Sequence, residues 1–352
     1  MELRLALLGC GHVGQAFIAL AAAKDAELRA RYGLDLVFTG GLTRAAGGWA
    51  APAGISAAAL AAAAWPRAGR SDGALPSSAA AFAGDALAFA ATCPADVLIE
   101  LTPLDPLTGE PATSHVRAAL TAGRHVVTAN KGPIAHAYRE LRALATAHGV
   151  ALRFESTVMD GTPLFNLAEF TLPATRITSF RGVLNSTTNY VLGALAGGAT
   201  LEDALAGARA LGIAEANPAY DLDGWDAAVK ATVLANVLMG ADLRPAQVAR
   251  LGLGASAMRA ARAALPAGHA LRQLVEVERA TAGGIVAAVR LRALPANDPL
   301  AHLAGMETAL TLRTDTMGEL TLIEGEGGPE QTAFGVLADL VVIARGIGDL
   351  AN

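Results

Sequence analysis

At 352 residues, with 53% hydrophobic and 17% charged residues, the chain has the make-up of a compact globular protein of two domains and not of a disordered one. A net charge of −5 without blocks of Lys or Arg argues against nucleic acid or an anionic membrane as a partner. Cys10 and Cys93 lie in apolar surroundings and read as core thiols, the N-terminus lacks a basic leader region, and no apolar run reaches membrane-spanning length, so a cytoplasmic location is the expectation.

Residues 2–8 make a short apolar strand running into Gly9-Cys10-Gly11-His12-Val13-Gly14 and a helical segment from Gln15. This is G-x-G-x-x-G between a strand and a helix, where glycines allow a tight turn and the approach of a pyrophosphate to the helix N-terminus. His12 reads as a turn residue whose backbone faces the ligand. The second strand, 34–40, should carry an acid near its C-terminal end if the nucleotide is NAD. Asp35 stands at the strand's start, and beyond the strand come Thr43 and Arg44. Arg44 suits a 2′-phosphate, so NADP(H) is expected over NAD(H); a solvated surface arginine is the alternative.

Residues 45–92, rich in Ala, Gly, Ser and Pro, read only as helix and loop. A buried-type strand at 96–101 ends at Thr102-Pro103, a helix follows near 112–122, and the strand 125–129 ends at Asn130-Lys131. Ligands bind at the C-terminal ends of parallel strands, which puts Thr102 and Lys131 at the cofactor cleft. A helix is expected over 137–148, with a domain boundary near 150. Glu155 and the carbonyls of the loop 159–164 can form an all-oxygen cation site or an ordinary turn; spacing does not separate the two. A strand at 177–184 leads to Asn185-Ser186-Thr187-Thr188-Asn189-Tyr190, a polar cluster suited to a substrate amine and carboxylate. Alternating patterns at 274–280, 285–293 and 308–312 predict a second sheet. A Gly-rich turn at 325–328 feeds a helix near 333–346.

The highest density of acid falls in 212–230, where Glu215, Asp221, Asp223 and Asp226 precede Lys230. The spacing predicts a helix from Gly224 or Trp225 to Gly240, capped by Asp223. Asp226 and Lys230, four apart, share a face with Val233 and Val237, while Ala228, Ala231 and Ala235 lie opposite. The helix has no polar face for a solvated ion pair. Either the pair is a surface contact of roughly 0.5 kcal/mol, or an Asp and a Lys sit in an apolar cleft, tuned for acid–base work.

Together, Gly9-x-Gly11-x-x-Gly14, Thr128-Ala129-Asn130-Lys131, the 185–190 cluster and Gly212-x-Ala214-Glu215-x-x-Pro218-x-x-Asp221-x-Asp223-Gly224-x-Asp226-Ala227-x-x-Lys230 resemble the homoserine dehydrogenases, in order over nearly the whole chain. The resemblance implies an α/β fold: a Rossmann-type dinucleotide-binding domain (1–150), an inserted α+β domain for substrate and dimerisation (151–312), and a C-terminal segment (313–352) returning to the first. It implies NAD(P)-dependent interconversion of L-aspartate 4-semialdehyde and L-homoserine, as in threonine and methionine biosynthesis, by a cytoplasmic homodimer. Carried over by position, Lys230 is the proton carrier. Glu215 and Asp226 bind the substrate amine and orient Lys230, and Lys131 shares the proton transfer. Gly212 and Thr187 join the substrate contacts. Val13, Thr102 and Gly328 touch the nucleotide. Glu155 with the carbonyls of Val158, Asp160 and Thr162 holds a monovalent cation (Na+). Ser186, Ile213 and the pair Met159-Asp160 depart from the family's usual residues. A short form without a C-terminal ACT domain, and no feedback through one, is the expectation. A dehydrogenase of another small amino or oxo acid, or a non-catalytic dinucleotide sensor, are the competing readings.

Overall fold

A computed structural model describes residues 1–63, 78–212, 219–254, 268–281, 283–325 and 327–346. By contact the chain divides into two units: Met1–Glu169 with the described residues from Gly328 on, and Phe170–Gly327 between them.

The first unit is built on β1 (Glu2–Leu8), α1 (His12–Tyr32), β2 (Asp35–Thr43), β3 (Gly47–Ser56), α2 (Ala57–Ala62), β4 (Ala80–Phe82), α3 (Ala86–Thr92), β5 (Val97–Glu100), α4 (Ala112–Thr121), β6 (His125–Thr128), α5 (Lys131–His148), β7 (Leu152–Arg153) and α6 (Phe165–Thr171). Its sheet has the order β4-β3-β2-β1-β5-β6-β7. Strands β2, β1, β5, β6 and β7 run parallel, and β3 and β4 extend the edge antiparallel. β1 and β5 read Leu-Arg-Leu-Ala-Leu-Leu and Val-Leu-Ile-Glu, the near-continuous apolar runs of strands covered on both faces. The sequence read no strand in 47–56. Gly-Gly-Trp-Ala-Ala-Pro-Ala lacks the alternation of a strand, and its pairing comes from the exposed edge of β2. α5 opens at Lys131, six residues before the expected start, and carries a kink at Ala137 (φ −142°).

The second unit comprises β8 (Ile177–Val183), α7 (Ser186–Ala196), α8 (Leu201–Ala210), α9 (Ala219–Leu222), α10 (Trp225–Met239), β9 (Ala249–Arg250), β10 (His269–Arg279), β11 (Ile285–Pro295), β12 (Thr308–Thr314) and β13 (Glu319–Glu324). The sheet order is β13-β12-β8-β10-β11-β9. α7 packs on β10, and α10 packs on β8, β10 and β11. β13 keeps the chain in this sheet beyond 312, through antiparallel pairing with β12.

α11 (Pro329–Ala344) then belongs to the first unit. Its Ala333, Val336, Leu337, Leu340 and Ile343 join Leu5, Leu7, Phe17 and Ile18 in one buried cluster. The stretch 151–169 also stays with the first unit. Glu155 N donates to the Asp339 carboxylate (2.9 Å), and Ser156 Oγ to the Thr332 carbonyl (2.7 Å). Close packing enforces the contact: a Cβ on Gly161 would lie 1.9 Å from the Gln331 carbonyl oxygen.

Candidate active site

β1 pairs with β2 on one side and β5 on the other, so the loop after it opens at the topological switch point of the sheet. Gly9 has φ +93°, and a Cβ there would sit 2.6 Å from the Leu101 carbonyl oxygen. On Gly14 a Cβ would meet the Gly9 oxygen and Cys10 Sγ at 3.3 Å. On Gly11 it would meet nothing within 4 Å. Packing therefore dictates the first and third glycines, and the second answers to whatever approaches the loop from outside. Gly11 is the N-cap of α1, with no side-chain cap and no acid in the first turn. The first N–H groups, with His12 exposed and Val13 half-buried, are left to an anion.

Gly9 N donates to the Leu42 carbonyl (2.9 Å), which brings the exposed Arg44, in the turn from β2 to β3, close to the glycine loop. Asp35 pairs in register with Glu2 at the far end of the sheet, and its carboxylate takes Arg29 Nη2 at 2.6 Å. Thr102 and Lys131 follow the C-terminal ends of the adjacent strands β5 and β6. Asn130 caps α5 by accepting Gly132 N–H (2.9 Å), and its amide donates to the carbonyls of Thr102 (2.9 Å) and Pro103 (3.3 Å). Lys131, half-buried, is the first residue of that helix, where the macrodipole disfavours a cation by about 0.3–1 kcal/mol. Helix propensity does not explain a lysine there.

Glu155 is 1% exposed, and its two carboxylate oxygens accept the Phe165 and Asn166 N–H groups, both at 2.8 Å, at the start of α6. Burial pushes its carboxyl up to about 7 despite those bonds. Met159 (φ 55°) and Asp160 (φ 45°) are both left-handed, so the turn is made without glycine at about 1–2 kcal/mol of strain per residue. Thr162 N closes it on the Met159 carbonyl (2.8 Å), and Thr332 Oγ1 reaches Asp160 Oδ1 (3.3 Å). With the Glu155 carboxylate and the Val158 and Asp160 carbonyls, the turn offers hard oxygen donors.

In the second unit, Asn185 follows β8 and is the N-cap of α7, its Oδ1 accepting Thr188 N–H at 2.8 Å. Its amide donates to Asp221 Oδ1 (2.8 Å) and to Asp226 Oδ2 (2.9 Å). Lys230 Nζ lies 3.0 Å from Asp226 Oδ2 and donates to the Leu184 carbonyl at 2.6 Å. Thr187, 3% exposed, hydrogen-bonds Asp221. The Lys230 and Asp226 side chains are 16% and 17% exposed, and residues 227–229 and 231–235 are buried, so the pair sits in apolar surroundings. Burial first, and the Asp226 charge second, raise the Asp221 carboxyl above its ordinary value. Asn185 thereby gathers Asp221 and Asp226 beside Lys230.

Asp223 does not cap α10: the cap is Gly224 (φ 75°), without a side-chain bond, and Asp223 is exposed. A left-handed glycine turns the chain sharply into the helix, and Asp226 in the first turn supplies the negative charge the dipole favours. Asp221 has no evident role in the sequence and is here tied to Asn185. Nothing in the spacing announces this, although Asn three before Thr188 is an N-cap signal. Gly212 (φ 71°) closes α8 by donating to the Arg209 carbonyl (2.9 Å), and Gly328 is the N-cap of α11. Glu215 and Ile213 lie outside the described residues.

A helix start left open to a pyrophosphate and a lysine set against a carboxylate place the chain among the NAD(P)-dependent oxidoreductases. Residues 9–155 match the model of the homoserine dehydrogenase NAD-binding domain, and residues 163–341 that of homoserine dehydrogenase. The chain is 36% identical over 350 residues to an NAD(+)-dependent homoserine dehydrogenase of Pseudomonas canavaninivorans, covering 97% of this chain and 96% of that one. It is 36% identical over 250 residues to a homoserine dehydrogenase of Methanocaldococcus jannaschii (71% and 73% covered). A hyperthermophilic archaeal homoserine dehydrogenase solved with NADPH superposes with a TM-score of 0.80 at 28% identity, each chain covered in full. The chain belongs to the homoserine dehydrogenase family, and the family's reaction is the interconversion of L-aspartate 4-semialdehyde and L-homoserine with NAD(P).

Proposed function

We propose that Lys230 is the proton donor and acceptor of this reaction, and that the chain prefers NADP(H). The observation that carries the first claim is the hold on Lys230 Nζ, between Asp226 Oδ2 at 3.0 Å and the Leu184 carbonyl at 2.6 Å, on a helix with no polar face. An ammonium held this way in apolar surroundings is positioned to give a proton to a developing alkoxide. Asp226 orients that ammonium and, with Asp221, Thr187, Gly212 and Glu215, receives the substrate amine. The gathering of Asp221 and Asp226 in one place supports this, since carboxylates attract a cationic amine. Lys131, held at a helix start against the dipole, shares in the proton transfer. Bound NADPH supplies the hydride that passes to the aldehyde carbon.

The nucleotide sits on Gly9, Gly11, His12, Val13 and Gly14, with Thr102, Lys131 and Gly328 around it and Arg44 on the 2′-phosphate. Support for the phosphate comes from Arg44 beside the glycine loop and Asp35 at the opposite end of β2, already paired with Arg29. Glu155, Val158, Asp160 and Thr162 would hold a monovalent cation such as Na+ through their oxygens. The second unit binds substrate and forms a homodimer, and the enzyme works in the cytoplasm. No described helix is long and apolar enough to cross a membrane, which agrees with that location.

The test is the consumption of NADPH with aspartate semialdehyde, run in parallel with NADH. General acid catalysis contributes about 10²–10⁴-fold, so Lys230→Ala should lose that much turnover and melt as the parent does. Near-normal turnover in the variant removes Lys230 from the chemistry.

A further inference from the structure

Glu100 ends β5, is wholly buried, and takes no part in the chemistry above. Its Oε1 accepts the Thr102 backbone N–H (2.9 Å) and the Thr102 hydroxyl. Its Oε2 lies 3.0 Å from Thr128 Oγ1. That hydroxyl also lies 3.1 Å from the Glu100 carbonyl oxygen and accepts Asn130 N–H at 3.0 Å.

Counting protons decides the state of the acid. The Thr128 hydroxyl has one proton and two oxygens within reach of it. If Glu100 is ionised, one of those two O···O contacts has no hydrogen in it. If Oε2 carries a proton, the acid donates to Thr128 Oγ1, Thr128 donates to the Glu100 carbonyl, and every polar atom is satisfied. Burial acts in the same direction, raising the carboxyl to about 7 against the three hydrogen bonds that lower it.

The bonds close a ring. Thr102 N–H donates to Glu100, Glu100 Oε2 and Thr128 Oγ1 share a hydrogen bond, Asn130 N–H donates to Thr128, and the Asn130 amide donates back to the Thr102 carbonyl. The loop after β5, with Thr102, and the loop after β6, with Lys131, are thereby locked to one another. A carboxylate there would set a negative charge behind the edge that would hold the nucleotide; a neutral acid gives the same shape without it.

We propose that Glu100 is held as the neutral acid and is a positioning residue for the nucleotide, fixing the Thr102 and Lys131 loops as one rigid edge. The proposal rests on reading Thr102 as a nucleotide contact. Glutamine has the donor and acceptor pattern of the neutral acid but not of a carboxylate; leucine has neither. Glu100→Gln should therefore keep the Kd for NADPH within about twofold, while Glu100→Leu should raise it by about tenfold or more, one broken charge-free latch being of that order. The KM for aspartate semialdehyde should move less than twofold in both. Infrared spectra of the whole enzyme should show a protonated-carboxyl band at pH 6 that Glu100→Gln removes, a readout that a purely structural role does not predict.

Equal losses in Glu100→Gln and Glu100→Leu, or no such band, overturn the neutral acid. If Glu100→Leu fails to fold, Thr128→Val, which opens the same ring, takes its place. Thr102→Ala separates the two readings. Unchanged NADPH binding in that variant refutes Thr102 as a contact. Weakened binding there, with unchanged binding in Glu100→Leu and Thr128→Val, refutes the ring alone.

Discussion

Asn185 donates to both Asp221 and Asp226, and Asn185→Asp is the sharpest perturbation of that arrangement. The change is isosteric. A carboxylate still accepts the Thr188 N–H at 2.8 Å, so the start of α7 keeps its cap. What is lost are the two N–H donors, at 2.8 Å to Asp221 and 2.9 Å to Asp226, and a third negative charge arrives between them. Hydrogen bonds to charged groups are worth about 1.5–3 kcal/mol each, so losing the pair costs on the order of 3 kcal/mol before repulsion is added. The ion pair with Lys230 remains on Asp226. If half of that loss or more appears in the transition state, turnover falls by roughly 10-fold to 100-fold at neutral pH. The variant should recover activity towards acid, because a proton on the new carboxyl restores one donor. The assay is NADPH oxidation with aspartate semialdehyde between pH 5.5 and 8.5, with a thermal melt alongside. Turnover within twofold of the parent at pH 8, with an unchanged melt, would show that Asn185 does not hold the pair.

Further measurements reach other parts of the molecule. Arg44→Ala should raise the KM for NADPH by about tenfold and leave that for NADH nearly unchanged; equal effects on both would contradict the 2′-phosphate reading. Gly161→Ala places a Cβ 1.9 Å from the Gln331 carbonyl and should destabilise by about 1–3 kcal/mol or more, read as a fall in midpoint in urea; a neutral result means that α11 shifts freely. A third concerns pH. Glu100 rises from an ordinary value of 4.5 to about 7 in the fold, so the folded state prefers the proton. Stability should therefore fall as pH climbs from about 4.5 to about 7 and level off above, at about 1.4 kcal/mol per unit, on the order of 3 kcal/mol in all. Glu155, raised to about 7 as well, adds a slope of the same sign, so the difference between the parent and Glu100→Gln in urea melts at pH 5 and pH 8 isolates Glu100. Parallel lines for the two proteins would refute it.

The strands of the first unit's centre are legible because burial on both faces demands apolar runs, and the glycine loop because backbone and ligand both need it. β3 escapes notice because a strand held between β2 and the short edge strand β4 borrows its pairing from its neighbours and needs no pattern of its own. The helix of Asp226 and Lys230 can be read from its first residue to its last, yet its cap is misread, since an acid before a helix looks like a cap whether or not glycine turns the chain instead. Lys230 and Asp226 announce themselves by sharing an apolar face. Asp221 and Asn185 do not, because their meeting spans 36 positions and depends on where β8 delivers the chain. Glu100 in the sequence is only the polar end of an apolar strand; its significance lies in a count of protons across three segments.

The return of α11 to the first unit has a consequence for how the protein is made. The second unit is one unbroken stretch, Phe170–Gly327, whereas the first needs both ends of the chain. Ribosomes emit roughly 5–20 residues per second, so Leu5, Leu7 and Phe17 wait on the order of half a minute for Val336, Leu337 and Leu340 to cover them. By the end of that interval the inserted unit has all its strands in hand, while the nucleotide fold still has an open flank. The order of synthesis thus favours a protein whose substrate half is complete first, and whose dinucleotide half closes only when the last helix arrives.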